Sequence, residues 1–415
     1  MNLFGGVIPV TGVSFVLFCV FAVLFIGYAL GRITIKGVCL GDAGVFVIAL
    51  LFGAIFKDTI FGEGAKYGEI FIEALDVIES LGLILFVTSV GFIAGPKFFG
   101  NMKKNFKSYV LLGLVIIIAG GASAAACIGM GEVFGYGASI ADQDGFVAMI
   151  VGLLSGSLTS TPAFSAAKAT VAEQYTSLVS VGHGIAYIFG VIGVVLFVKL
   201  VPKLSKADMD AERAKLVQVD SANKKSFVGK LFDIDEHGFA AFSLAAVLGT
   251  FVGKIKIPLS AEGLDGTCFS LTTTGGCLLV SLIIGHFGRA GKVNLMPDTH
   301  TLKLFRELGL VLFLVGAGIP GGVDFVANFD PMYFVYGIIM TIVPMIIGFI
   351  FAKYVLKLSL LNNLGAITGG MTSTPALGTL IGVAKTEDVA AAYAATYPIA
   401  LIAVVLVSQF LIILF

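Results

Sequence analysis

Three hydroxyls and a proline recur as a unit in this chain: Thr159, Ser160, Thr161 and Pro162, then, 213 residues on, Thr372, Ser373, Thr374 and Pro375. Each set follows a flexible pair, Gly156 and Ser157 or Gly369 and Gly370, within the longer matching stretches 152–164 and 365–377. Threonine followed by proline is the order of a helix cap and a first helical residue, so Thr161 and Thr374 are expected to cap half-helices opened by Pro162 and Pro375. Helix amino ends carry about half a positive charge and unpaired N–H groups, which suit carboxylates or phosphates. Two such tips would bind an anion without an arginine, since no arginine falls securely inside an apolar span. Ser160, Thr161, Ser373 and Thr374 would hydrogen-bond a carboxylate or amine, and Thr159 and Thr372 would do the same or turn into the fold. One such run is equally well explained by close packing of small residues between membrane helices. Its recurrence at the same place in both halves favours a binding site built from all twelve residues.

The surroundings of these tips are a lipid-soluble chain. Hydrophobic residues make up 58% and charged residues 13% of the 415, with a mean hydropathy of +1.02. That is the composition of a polytopic membrane protein. A net charge of zero without a dense basic patch outside loops gives no footprint for nucleic acid. No GxxxxGK[ST] loop, HExxH, GxSxG or pair of catalytic carboxylates at useful spacing occurs, so the expectation is a non-enzyme without a nucleotide cofactor. The five cysteines show no CxxC or Cys/His spacing, and no metal site is expected. The first apolar run follows no positive n-region and is expected to stay as a span.

Apolar runs at 13–31, 41–56, 77–95, 108–130 and 177–200 read as spans of the first half, with 145–175 holding the first polar turn. The second half repeats the scheme at 238–253, 272–287, 305–323, 331–353 and 390–414, with 360–386 holding the second turn. Likeness extends beyond the turns: Gly82, Phe86, Gly91 and Gly95 fall on Gly309, Phe313, Gly318 and Gly322. These glycines read as close helix packing. If each polar segment is a re-entrant hairpin, each half crosses the membrane an odd number of times and the halves are inverted. About 21 of the 26 basic residues then face the cytoplasm, leaving Lys57, Lys66, Lys168, Lys254 and Lys256 outside. The expected fold is an all-α integral membrane protein of two inverted-topology repeats, each five transmembrane helices plus one hairpin. Residues 1–201 form repeat 1, 202–237 a charged cytoplasmic linker and 238–415 repeat 2, with both termini external.

Ionisable groups near the apolar spans are few, and they frame the question of coupling. Glu79 and Glu307 begin the third span of each half, Arg306 flanks the latter, and His183 lies in the last span of the first half, aligned with Tyr393. Ionisable residues at membrane depth are candidates for ion coupling, although both glutamates also suit the solvated interface. Lys168 reads as a side chain that snorkels to the surface. Sodium held by hydroxyls and unwound carbonyls is an alternative to a proton.

GSLTSTPAF and GGMTSTPAL, with LGLILFVTSVGFIAGPKFF ahead of the first and LGLVLFLVGAGIPGG ahead of the second, resemble the aspartate:alanine exchanger family of bacterial inner-membrane transporters. The resemblance covers both membrane halves. It implies a secondary transporter that works as a homodimer and exchanges or exports small anionic or zwitterionic solutes, amino acids or dicarboxylates. Well-studied members carry two soluble TrkA-C-type domains between the halves, whereas about 36 residues join them here. The expected mechanism is alternating access, with the hairpins and adjoining spans moving as a unit against a scaffold. A passive anion channel is the alternative, since polar half-helices also build pores.

Overall fold

A long apolar run satisfies its own backbone in lipid by coiling into a helix, and the apolar runs of this chain do so, with four pairs of two-residue strands outside the helices among the described residues. The computed structural model describes residues 2–3, 8–9, 12–35, 38–39, 41–60, 68–98, 106–135, 140, 142–216, 231–258, 263–265, 268–386 and 388–415. Lys36, Lys66, Lys103, Lys104 and linker residues 217–230 lie outside them, as do the side chains of Thr374 and Pro375.

The first half runs α1 (Val13–Gly31), α2 (Ala43–Ile55), the single turn α3 (Lys57–Ile60), α4 (Gly68–Phe98), α5 (Phe106–Phe134), α6 (Gln143–Ser157), α7 (Thr161–Thr170) and α8 (Thr176–Leu204). A short linker helix α9 (Met209–Ala214) precedes the second half. That half comprises α10 (Phe239–Gly253), α11 (Thr272–Phe287), α12 (Thr299–Phe325), α13 (Pro331–Ile350), α14 (Leu360–Gly370), α15 (Thr374–Ala384) and α16 (Val389–Leu414). The helices fall on the expected runs, with α4 and α12 longer at their starts and α13 extended by a π-turn, Phe351–Val355. Aspartates set several starts. Asp142, Asp298 and Asp330 accept amide bonds at 2.8 Å from Gly145, His300 and Met332, and Asp235 accepts from Phe239 at the mouth of α10. Each carboxylate fills an orphan donor and faces the positive end of the helix.

Six helices, α1, α4, α5, α8, α13 and α16, are long and apolar enough to cross a membrane among the described residues. The helices α2, α10 and α11 are apolar but shorter, at 13, 15 and 16 residues. The arms of the polar segments are shorter still in three cases: 15 residues in α6, 10 in α7 and 11 each in α14 and α15. At about 1.5 Å per residue, none of these arms spans a hydrocarbon core of about 30 Å.

Backbone-to-backbone glycine contacts pair the helices in matching ways across the two halves. α1 packs on α2 through Gly27, Gly31 and Gly44, and α10 on α11 through Gly249, Gly253 and Gly276. α4 of the first half packs on α11 of the second, while α12 packs on α2. At the centre, α4 and α12 meet each other. Gly82 lies against Phe313, Gly309 against Phe86, and Gly316 against Glu79, so the register rises along one helix as it falls along the other. The two equivalent helices therefore run antiparallel. In contrast, α6 and α8 run parallel, Gly152 facing Val179 and Gly156 facing His183, as do α14 and α16.

Candidate functional site

The two polar turns fold alike and touch. Helix α6 ends in a Schellman motif: the Thr159 amide donates to Gly156 O at 2.9 Å and the Ser160 amide to Ser155 O at 2.8 Å. Helix α14 ends the same way, Thr372 to Gly369 and Ser373 to Thr368, each at 3.1 Å. The residue that must turn left-handed is Thr159 (φ 50°) in one and Thr372 (φ 51°) in the other, where glycine is usual. A branched side chain there is strained, and the hydroxyl supplies the reason. Thr159 Oγ1 donates to Met371 O at 3.1 Å, and Thr372 Oγ1 donates to Leu158 O at 2.7 Å. Each threonine satisfies the last carbonyl of the opposite half-helix, so the breaks are joined reciprocally.

The return helices start one residue earlier than expected. Ser160, not Thr161, is the cap of α7: its backbone is extended and its Oγ accepts from the Ala163 amide at 3.4 Å. Thr161 is the first helical residue and Pro162 the second. Ser373 is likewise the cap of α15, and its buried Oγ has no partner among the described residues. Of the first three amides of α7, proline therefore removes one and Ser160 faces another. The dipole and hydroxyls remain, but fewer bare N–H groups than an ordinary helix start offers.

A cavity of about 660 Å³ lies against these tips, lined by Thr159, Thr161, Pro162 and Thr372. Its remaining wall comes from helices of both halves: Tyr28 of α1, Asp42 before α2, Phe86, Val90, Ile93 and Ala94 of α4, Tyr187 of α8, Arg306, Glu307 and Leu310 of α12, Leu377 of α15, and Ala390, Tyr393, Ala394, Tyr397, Pro398 and Leu401 of α16. Toward the start of α4 the structure is closed. There Ser165 of α7 bonds Thr274 of α11 at 2.8 Å, and Lys168 Nζ bonds both Glu79 oxygens at 2.8 Å. Lys168 thus does not snorkel free; a carboxylate on α4 holds it, with both side chains 16% exposed.

The remaining candidates separate. Gly156 and Gly369 press on the α8 and α16 backbones, where an added Cβ would sit 2.8 Å from Tyr187 N and 2.6 Å from Tyr393 O. Ser157 Oγ donates to Gly337 O of α13 at 3.0 Å, and Gly370 abuts Ile116 of α5. These four pack helices and lie off the cavity wall. His183 is fully buried behind the first turn, with Nδ1 2.8 Å from Ser155 Oγ and its ring stacked on Phe164 at 4.1 Å. Glu307 lines the cavity, whereas Glu79 lies on the closed side; antiparallel α4 and α12 carry their equivalent ends apart. Sequence reasoning passed over Asp42 and gave Arg306 no role at the site. The signal available for Arg306 was its alignment with Glu79, a charge reversed between repeats. Among the described residues, no group of three His, Cys, Asp or Glu could hold a metal ion.

A family model described as a "Predicted Permease Membrane Region", Asp-Al_Ex, matches residues 19–203 and 241–413. The chain is 26% identical to an "Uncharacterized transporter" of Bacteroides thetaiotaomicron over 549 aligned positions, covering 94% of this chain and 97% of the relative. It is 23% identical to an "Uncharacterized transporter" of Rhodopirellula baltica, covering 96% and 98%. A "Putative transport protein" of Pectobacterium atrosepticum is 37% identical over 174 residues, 40% of this chain and 31% of the relative. Because 549 positions exceed this chain's 415 residues, the first relative carries residues with no counterpart here.

Proposed function

The chain belongs to the Asp-Al_Ex family of permease membrane regions, the aspartate:alanine exchangers, and from that membership we propose that it is a secondary active transporter of small carboxylates. The solute is an amino acid or dicarboxylate, carried by alternating access in the bacterial inner membrane. One observation carries the reading: two broken helices, cross-bonded through Thr159 and Thr372, present their turns to one cavity. Irregular backbone and hydroxyls at membrane depth are tolerated where they line an aqueous cavity, and transporters place substrates at such breaks. The relatives described as transporters support the same class.

In this reading residues 1–201 and 238–415 are inverted repeats, joined by the linker 202–237, with both termini external. Support comes from the matching glycine-packed pairs and from the opposed directions of α4 and α12. The cavity reaches toward the end of α1 and the start of α2, the face that the basic loops assign to the cytoplasm. It is the inward-facing half of a transport cycle. A homodimer supplies the scaffold, and the tips, with the helices beside them, carry the solute across.

The test is uptake in proteoliposomes loaded with aspartate, alanine or succinate, comparing the native protein with Thr161→Ala and Thr374→Ala. Losing a hydroxyl that bonds a charged ligand raises KM by about tenfold or more. Native-like kinetics in both variants would remove the tips from the solute's path.

A further inference from the structure

Equivalent positions of the two repeats have been given different work. Aligning Gly82 with Gly309 puts Glu79 at the place of Arg306, and aligning Pro162 with Pro375 puts Lys168 at the place of Ile381. In the first half the two partners meet, Lys168 gripping both Glu79 oxygens at 2.8 Å. In the second half the hairpin offers isoleucine, so Arg306 receives no counter-charge from α15. Its ion pair is with its chain neighbour Glu307 at 3.7 Å, where the arginine is 36% and the glutamate 66% exposed. A wide, solvated pair of this kind holds its members weakly.

Arg306 also lines the cavity with Thr159, Thr161 and Thr372. The tips need such help, since Pro162 has no N–H and the Ala163 amide faces Ser160 Oγ. We propose that Arg306 is a specificity-determining residue of the transport site, the counter-charge for an anionic group of the solute. This rests on the transporter reading above. A carboxylate presents two oxygens to the planar guanidinium fork and displaces the single distant oxygen of Glu307. The other charged wall residues, Asp42 and Glu307, are both acidic. An anion is therefore admitted only against Arg306, which fixes its orientation.

The experiment compares the native protein with R306K and R306Q in proteoliposomes, using labelled succinate, aspartate and the half-amide succinamate, with E307Q as a control. If the native protein moves none of these acids, the carboxylate-transport reading fails and this proposal falls with it. If it moves one, R306Q is expected to raise KM for that acid at least about 30-fold. The maximal rate changes little, R306K restores part of the loss, and E307Q, which removes the negative charge competing for the guanidinium, lowers KM. An unchanged KM in R306Q overturns the role of Arg306 while leaving transport standing. Should R306Q fail to fold, phenylglyoxal modification of the native protein replaces it, with the Arg306 peptide quantified by mass spectrometry. Protection by the transported acid supports the assignment, and equal labelling with and without that acid overturns it.

Discussion

A β-branched residue at φ near +50° is a local cost, of order 1–3 kcal/mol, and this chain bears it twice, at Thr159 and Thr372. The crossed hydroxyl bonds to Met371 O and Leu158 O are what offset it. Glycine and valine at either site both delete the donor and orphan the opposite carbonyl, but glycine relieves the strain and valine keeps it. Thr159→Val is therefore expected to unfold at lower temperature than Thr159→Gly, by about 1–3 kcal/mol in stability, in a thermal melt of the purified protein. The reverse order would show that the left-handed turn places no strain on a branched side chain there. The doubled TSTP was plain in the sequence, but which of its hydroxyls faces inward was not. That depends on the opposite turn, 213 residues away. The cap, read as Thr161 from its proline neighbour, is Ser160 because the Schellman turn already consumes Thr159. For His183, stacked on Phe164 and bonded to Ser155, we expect His183→Gln to lower thermal stability and leave the pH profile of transport unaltered. A moved profile would return this residue to ion coupling.

Among the elements, glycine decides how near helices come, and the distinction between binding and packing glycines lies in the partner helix. Gly156 and Gly369, legible as flexible turn residues, seat α6 and α14 on the backbones of α8 and α16. Gly378 of α15 faces open space. Gly156→Ala is expected to lose folded yield through overpacking of about 1–3 kcal/mol, and Gly378→Ala to be tolerated, as read by size-exclusion profiles of both. Hairpin α6–α7 is further fastened to α4 by Lys168–Glu79 and to α11 by Ser165–Thr274. Loss of the lysine, as Lys168→Met, should loosen that face and raise the reactivity of a cysteine placed at Ser165 toward an impermeant maleimide. The charge-exchanged pair Glu79→Lys with Lys168→Glu should bring reactivity back toward the native level. Equal labelling in all three would show that the ion pair does not hold the hairpin. Apolar runs located α4, α8 and α11, and the doubled polar turn located the break between α6 and α7. Neither could show that Lys168 finds Glu79, since the pairing exists only once α7 folds back.

For the whole molecule, the internal repeat and the helical membrane architecture could be read directly, since duplicated glycines and a 58% apolar chain leave few alternatives. The wall of the cavity could not. Asp42, Arg306 and Tyr393 are far apart in sequence and come together only through the pairing of α2 with α12 and the packing of α16 on the tips. The repeat also predicts a difference between sides. Asp42 and Thr274 are equivalent positions, one on the cavity wall, the other buried against Ser165. In a cysteine-free background, Asp42→Cys should react from one side of the membrane and Thr274→Cys should be protected in the resting state. A solute gradient that favours the opposite state should exchange the two reactivities. Identical labelling of both sites under all gradients would mean that the repeats do not trade places.

The crossed threonine bonds constrain any such exchange. Since each hydroxyl ends on the other hairpin's final carbonyl, neither turn can withdraw alone without stranding two buried acceptors. In the proposed transport cycle the floor of the cavity then travels as one rigid cradle, and the gates that open and shut belong to its flanks.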